Sequence, residues 1–245
     1  DEKISGKTIP EICHIRSKAG YHYSTAYKET YQMLTAAYHV LKEVSLHRYQ
    51  STIEEAVEDY VDGTYRIDTY YRRFYYYLDR VGMDVRIEKV QDLVENMYTN
   101  KYLTDLAYKW NQLLTDEAYH SYPGVRQEDF FEHYVKPFMN ETRGGRVIVI
   151  ISDGMRYECA REFFDELLLD EKCDAKIGYM LGVLPSETTL GMAALLPNKE
   201  IQVSGSLEIS VDDRCCKNSM EDRQKILQSV VPRSACYSSD RILQA

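Results

Sequence analysis

Val147-Ile148-Val149-Ile150-Ile151 is a continuous β-branched run that follows Arg146 and ends at Ser152-Asp153-Gly154. Such a run is typical of a central parallel strand that is buried on both faces. Residues 156–169 then show the apolar spacing of a helix, so the segment is predicted to be a βα unit. Because open α/β folds place their chemistry at the carboxyl ends of parallel strands, Asp153 becomes a candidate site residue.

Asp153 has two interpretations on these residues alone. A carboxylate at a buried strand end needs a cation, a metal or hydrogen-bond donors, whereas an aspartate also serves well as the N-cap of a following helix. A phosphatase of the haloacid-dehalogenase type is excluded, because that class requires a second aspartate where Met155 stands. Gly154 does not begin a GxGxxG motif, so a dinucleotide-binding fold is unsupported.

Hydroxyl side chains follow a second predicted strand, over residues 176–183. The next residues are Leu184-Pro185-Ser186-Glu187-Thr188-Thr189, and a predicted helix continues from them to about residue 197. Amide N–H groups and the helix dipole at a helix start favour an anion and an alkoxide nucleophile, although Ser and Thr are also common N-caps. A carboxylate and a hydroxyl at two adjacent strand ends form the minimum for a metal-activated nucleophile.

The first half of the chain is predicted to be all helical. Apolar and aromatic residues recur at three- and four-residue steps over residues 27–44, 52–60, 65–80, 87–98 and 102–114. Nearly all of the 22 tyrosines lie before residue 135. Interleaved with Arg66, Arg72 and Arg73, these rings suit base stacking and phosphate binding. The net charge of −9 instead favours tyrosines that pack in a helical core or face a partner.

Composition indicates a protein of the cytoplasm that does not enter a membrane. No run of eighteen apolar residues exists, and the first twenty residues lack the apolar region of a signal peptide. The six cysteines show no CxxC spacing, which suits a reducing compartment. The six histidines form no HxxxH or HExxH pair, so a metal site in the helical half is not expected.

Two blocks of this sequence resemble the PglZ family within the alkaline-phosphatase superfamily, and most closely the PglZ proteins of type I BREX phage-defence systems. They run from Val147 to Glu158 and from Leu181 to Pro197. The segments 93–100 and 127–138 also look family-like. The resemblance implies an α/β protein, in which an all-helical, Tyr-rich module over residues 1–140 precedes the first half of an alkaline-phosphatase-like parallel-sheet domain over residues 145–245.

The resemblance also implies a phosphoesterase with a dinuclear site for divalent metals, usually zinc, with manganese as the alternative. By carry-over, Asp153 matches the first metal-ligand aspartate, and Thr188 matches the threonine that is both nucleophile and metal ligand. Ser186 and Thr189 are the alternatives to Thr188. Arg156 either contacts phosphate or forms a salt bridge on the helix surface. The implied substrate is a phosphate ester, such as a nucleic acid or a nucleotide, and the implied partners are other BREX proteins.

Two departures from the family pattern limit these expectations. Asp213 follows Asp212 where the family usually has glycine in a turn, which affects the backbone geometry there. No histidine follows His133, although the remaining ligands of the superfamily are histidines and aspartates further downstream. The chain is therefore predicted to be a fragment of a longer protein, inactive alone, or a degenerate relative.

The rival function is a non-catalytic scaffold, in which the helical half binds other defence-system proteins. The surface pattern of that half discriminates between the two functions. Exposed, clustered tyrosines favour a partner interface, whereas buried tyrosines indicate only a core.

Overall fold

Helices dominate the computed structural model, which describes residues 6–18, 20, 23–81, 85–141, 146–172, 174–205, 208–217 and 219–243. Contacts divide the chain into two units that alternate along the sequence: residues 1–122 with 155–175, and residues 123–154 with 176–245. These boundaries differ from those of the predicted domains at 1–140 and 145–245, and that domain division stays a prediction. Across the described residues, the helices are all too short or too polar to cross a bilayer.

The helices agree with the apolar periodicity of the sequence. The α-helices are α1 Ile9–Ser17, α2 Lys28–Leu46, α3 Ile53–Asp59, α4 Tyr65–Val81, α5 Val85–Glu95, α6 Thr104–Leu113, α7 Asp116–His120, α8 Lys136–Glu141, α9 Tyr157–Leu167, α10 Thr188–Ala194, α11 Met220–Val230 and α12 Ser239–Leu243. π-Helical segments span Tyr60–Thr64, Asn96–Leu103 and Phe131–Val135, and a 3₁₀ turn spans Gln127–Asp129. The helices predicted over 27–44, 52–60, 65–80, 87–98, 102–114 and 156–169 are confirmed, with ends that shift by a few residues.

Helices α2 and α4 provide most of the core of the first unit. Its buried side chains are Met33, Ala36, Ala37, Val40, Val44, Ile67, Phe74, Leu78, Val94, Tyr98 and Tyr102. Tyrosines take part in this core: Tyr71 stacks on buried Tyr98 with ring centroids 3.6 Å apart, and its hydroxyl donates to Glu95 at 2.7 Å. The rings of Tyr71 and Tyr98 therefore replace aliphatic side chains while their hydroxyls keep polar partners. The buried hydroxyl of Tyr102 has no hydrogen-bond partner within the described residues.

Ion pairs hold α9 against α4. Arg72 donates from Nε and Nη2 to the carboxylate of Glu158, with the shortest contact at 2.7 Å. Only 1% of the Glu158 side chain is exposed, although it is a charged residue. Arg72 and its neighbour Arg73 also pair with Glu162, which is a third exposed. Because a buried carboxylate is costly without a partner, Arg72 is required for Glu158 to lie in this interface.

The second unit contains a small sheet of the strands β1 Ile201–Val203, β2 Ile209–Val211 and β3 Arg214–Cys215. The strands pair antiparallel in the order β1-β2-β3. Their apolar face packs with α10 and α11 in a core of Val183, Leu190, Ala193, Ala194, Leu196, Ile209, Val211, Cys216 and Ile226. Helices and strands together confirm the predicted mixed α/β class.

The predicted parallel strand over residues 146–151 is not formed. The segment has no regular secondary structure, and Ile148 and Ile150 are 79% and 87% exposed. A strand buried on both faces needs neighbouring strands and covering helices, and no described segment pairs with this run. The second predicted strand, over 176–183, is reduced to an isolated parallel bridge between Leu181 and Arg126. Among the described residues, the paired strands are antiparallel.

The turn between β2 and β3 takes a left-handed backbone conformation at two aspartates, without glycine. Asp212 and Asp213 take φ angles of 48° and 63°, in the left-handed region. Hydrogen bonds of the Asp212 side chain offset the cost of this backbone conformation, because its Oδ1 accepts the N–H groups of Lys199 at 2.9 Å and Glu200 at 3.0 Å. Asp212 therefore has a structural role that holds the hairpin to the chain before β1.

Replacing Asp213 with glycine is expected to stabilise the chain by roughly 0.5–1 kcal/mol, because glycine adopts the left-handed conformation without steric cost. The measurement is the free energy of unfolding in urea. The matched control is Asp212→Gly in the same turn, which also removes the acceptor for two backbone N–H groups and should give no gain. A loss of stability in Asp213→Gly would contradict the strain argument.

Candidate active site

Asp153 lies exposed in the turn that follows the apolar run. Its neighbour Gly154 has a φ of 70°, a conformation that favours glycine. Helix α9 begins only at Tyr157 and its N-cap is Arg156, so Asp153 does not cap that helix. Within the described ranges the Asp153 carboxylate makes no hydrogen bond or ion pair with protein. Of the two interpretations of Asp153, capping is therefore excluded.

Thr188 is the first residue of α10, and the N-cap of this helix is Glu187. The Glu187 carboxylate accepts the Leu190 N–H at 3.1 Å and so closes the first turn. The Thr188 side chain is exposed, and its hydroxyl makes no hydrogen bond to the part of the chain that the structure describes. The capping role is taken by Glu187, which leaves the Thr188 hydroxyl accessible to solvent.

The two alternative hydroxyls are placed differently from Thr188. Thr189 donates its hydroxyl to Glu187 Oε1 at 3.0 Å, so that oxygen is engaged in the helix start. Ser186 is exposed in the loop before the helix, after a cis peptide bond between Leu184 and Pro185. The geometry therefore disfavours Thr189, while Ser186 stays an alternative to Thr188.

Glu187 is the residue of this site that sequence reasoning missed. Hydrogen bonds from the backbone N–H groups of Thr189 and Leu190, and then from the Thr189 hydroxyl, lower the pKa of Glu187 below its usual value. The helix start favours the same negative charge. The sequence signal was weak, because serine and threonine are the more usual N-caps and three of them surround Glu187.

Acid is expected to remove this cap from α10. The pKa of Glu187 is lower in the folded state than in the unfolded state. The stability that its cap gives to the helix is therefore fully present above the unfolded glutamate pKa of about 4.3, and it is lost as the pH falls through the lower folded-state pKa. The NMR shift of the Leu190 amide proton should therefore titrate with a midpoint below that of free glutamate. Glu187→Gln should abolish this titration, and a midpoint at or above about 4.3 would contradict the assignment.

Arg156 is engaged by a buried carboxylate in the first unit. Its Nη2 donates to Asp68 Oδ2 at 2.9 Å, and only 4% of the Asp68 side chain is exposed. Asp68 also accepts the hydroxyls of Tyr60 at 2.6 Å and Tyr98 at 2.8 Å. Burial and then the Asp68 carboxylate raise the pKa of both tyrosines. Arg156 thus forms a salt bridge, as one of its two interpretations predicted, but with a buried carboxylate of α4 rather than on the surface of its own helix.

Asp153 and Thr188 each offer an oxygen that suits a divalent metal, and no contact joins the two side chains within the described residues. The oxygens of Asp153 and Thr188 have no protein partner in the described residues, and carboxylate and hydroxyl oxygens are suitable metal ligands. The described residues contain no group of three or more His, Cys, Asp or Glu side chains that could hold a metal ion. Two oxygens are fewer than the four ligands of an ordinary zinc site, so these residues do not complete one.

Comparison with known proteins identifies the second half of the chain. Residues 130–245 match the family described as the BREX system PglZ alkaline phosphatase-like domain. The alkaline phosphatase-like protein PglZ of Bacillus cereus (strain H3081.97) is 36% identical over 225 residues, which are 89% of this chain and 26% of that protein. The alkaline phosphatase-like protein BrxZ of Escherichia coli O9:H4 (strain HS) is 36% identical over 177 residues, which are 69% of this chain and 20% of that protein. No solved structure matches the chain significantly.

The relatives extend the similarity beyond the matched family domain. The 225 aligned residues include most of the helical half, whereas the family match begins at residue 130. The chain spans about a quarter and a fifth of the lengths of these two relatives. The resemblance of the segments Val147–Glu158 and Leu181–Pro197 is thus confirmed, and the chain belongs to the PglZ family of BREX alkaline phosphatase-like proteins.

Proposed function

We propose that the full-length protein hydrolyses a phosphate ester in a divalent-metal-dependent reaction, with Thr188 as the nucleophile. The observation that supports the proposal is that the side chains of Asp153 and Thr188 have no hydrogen-bond partner within the described residues. Asp153 and Thr188 are exposed and make no hydrogen bond within the described residues, although a capping role was open to both. Side chains that the local structure does not use are available for a substrate and a metal.

The reaction follows from the chemistry of the Thr188 hydroxyl. Its oxygen attacks phosphorus, its proton passes to solvent, and the alcohol of the ester leaves as the new phosphorus–oxygen bond forms. Water then attacks phosphorus in the covalent threonine intermediate and restores the Thr188 hydroxyl, releasing phosphate from a monoester substrate and a phosphate monoester from a diester substrate. Divalent metals, which the superfamily generally uses, would be held by Asp153 and Thr188 and supply the positive charge that stabilises an alkoxide and the phosphate oxygens.

We propose that this activity serves phage defence, because the matched family is described as a BREX system domain. Both relatives carry names of the alkaline phosphatase-like kind, as the family description does. The proposal therefore includes other BREX proteins as partners, a nucleic acid or nucleotide as the phosphate ester, and action in the cytoplasm.

The scaffold alternative has less support from the helical half. Tyr98 and Tyr102 are buried, and most of the tyrosines of α4 pack against the same core. The exposed rings include Tyr23 and Tyr27, whose centroids lie 5.7 Å apart, and Tyr76, which lies under Arg80. Tyr108 on α6 is exposed as well, so the exposed tyrosines lie on several different elements of the helical half.

The experiment is metal-dependent hydrolysis of aryl phosphate monoesters and diesters by the full-length protein. Zinc and manganese are tested separately after removal of bound metal with a chelator. We expect hydrolysis that the chelator abolishes and one of the two metals restores. A wild-type protein that hydrolyses no ester with either metal would contradict the proposed function and favour the scaffold function.

A further inference from the structure

The 3₁₀ turn Gln127–Asp129 lies beside the segment that carries Thr188. Backbone hydrogen bonds begin this contact: Leu181 N–H donates to Val125 at 2.9 Å, and Gln127 N–H donates to the Leu181 carbonyl at 2.8 Å. The two stretches are more than fifty residues apart in sequence and belong to the same unit. The turn is therefore fixed against the chain just before the loop that leads to α10.

The side chain of Gln127 joins two parts of that segment. Its Oε1 accepts the N–H of Val183 at 3.1 Å, and its Nε2 donates to the carbonyl of Gly191 at 3.0 Å. The Gly191 carbonyl is among the last four of α10, which lack an intrahelical donor of their own. Thr188 lies between the two points of attachment. The amide group of Gln127 thus binds the backbone on both sides of Thr188, at Val183 before the loop and at Gly191 after the first turn of the helix.

Glycine at position 191 allows the helix to approach this amide. A Cβ at Gly191 would lie 3.2 Å from Gln127 Nε2, which is closer than ordinary van der Waals contact. A Cβ at Gly182 would lie 3.6 Å from Gln127 Oε1. The backbone on both sides therefore packs directly on the glutamine side chain.

We infer that Gln127 is a positioning residue for the proposed reaction, and that it holds the Thr188 hydroxyl in place by fixing the backbone from Val183 to Gly191. The inference rests on the proposed function of Thr188 as the nucleophile. A nucleophile displaced by about 1 Å can lose roughly 10²-fold in rate. Gln127 itself does not touch the reacting atoms.

Asn198, which follows the C-terminal end of α10, provides a matched control. Its Nδ2 donates to the carbonyls of Leu196 at 2.8 Å, Glu128 at 3.1 Å and Ala194 at 3.4 Å. It therefore ties the same helix to the same 3₁₀ turn with a comparable set of hydrogen bonds. Asn198→Ala should destabilise the unit as much as Gln127→Ala, without releasing the loop before Thr188.

The kinetic test compares these two variants in the full-length protein. Gln127→Ala should lower kcat for an aryl phosphate ester by roughly 10- to 100-fold, with KM changed by less than about twofold. Asn198→Ala should keep kcat within about threefold at a similar melting temperature. Equal losses of kcat in the two variants, or an unchanged kcat in Gln127→Ala, would overturn the inference.

Hydrogen exchange gives a readout that does not depend on activity. Gln127→Ala should accelerate exchange of the Val183 amide and of the peptide that covers residues 183–191, whereas Asn198→Ala should leave the Val183 amide protected. Gly191→Ala should lower kcat in the wild-type background but cause no further loss in Gln127→Ala, because the added methyl group then has space. Unchanged exchange in Gln127→Ala overturns the inference even if Thr188 is the nucleophile. An inert wild-type protein overturns the proposed function, and exchange at Val183 then decides whether Gln127 fixes the segment.

Discussion

Replacing Thr188 with alanine in the full-length protein is expected to lower phosphate-ester hydrolysis by roughly 10⁴-fold or more. The substitution removes the oxygen that forms the bond to phosphorus, so no other group at this position can replace it. The folded state should be little affected, because the Thr188 hydroxyl is exposed and makes no hydrogen bond within the described residues. The measurement is kcat/KM with saturating metal, together with the melting temperature of each variant.

The neighbouring hydroxyls provide the controls for this prediction. Ser186→Ala should retain near wild-type activity, and Thr189→Ala should lose at most the hydrogen bond to Glu187. Asp153→Ala should weaken metal affinity on the order of 10²-fold or more, so that excess metal partly restores its activity. Activity that survives in Thr188→Ala but disappears in Ser186→Ala would assign the nucleophile to Ser186.

Replacing Arg72 with alanine is expected to lower the free energy of unfolding of the first unit by about 3 kcal/mol. The Glu158 carboxylate is 1% exposed and would lose the three hydrogen bonds that it accepts from Arg72. Arg72 is itself 40% exposed, so solvent screens part of the interaction and the low end of the usual range applies. Urea unfolding followed by fluorescence of Trp110, the single tryptophan of the chain, reports on this unit.

Arg73→Ala is the matched control on the same helix. Arg73 is 49% exposed and pairs with Glu162, which is 33% exposed, so its loss should cost no more than about 1 kcal/mol. The double variant Arg72→Ala/Glu158→Leu tests whether the loss comes from an unpaired buried charge. It should be more stable than Arg72→Ala alone, because it no longer buries a carboxylate without a partner. Equal effects of Arg72→Ala and Arg73→Ala would contradict the distinction between a buried and an exposed carboxylate.

The helices could be predicted from the sequence because their signal is local. The predicted helix over 65–80 is found at Tyr65–Val81, and the one over 156–169 is found at Tyr157–Leu167. The run over residues 146–151 has strong β propensity, but a strand also requires a partner, and pairing depends on residues distant in sequence. The antiparallel sheet over 201–215 was not predicted, because strands of two or three residues are too short to show an alternating pattern.

Some residues of the candidate site could likewise be predicted from the sequence, and others could not. Asp153 and Thr188 were proposed from their positions after predicted strands and from the resemblance to the PglZ family. The role of Glu187 as the N-cap was not predicted, because the neighbouring Ser and Thr residues are the more usual N-caps. Gln127 bonds to backbone atoms 56 and 64 residues away, at Val183 and Gly191, so nothing local marks its role.

The most direct test of the proposed mechanism is to trap the covalent intermediate. The full-length protein is mixed with a phosphate ester and its metal, quenched in acid and digested with trypsin, which releases residues 177–199 as one peptide containing Ser186, Thr188 and Thr189. Fragmentation by mass spectrometry then locates the phosphate. We expect phosphate on Thr188 of the wild-type protein and none in Thr188→Ala. Phosphate on Ser186 or Thr189, with none on Thr188, would contradict Thr188 as the nucleophile.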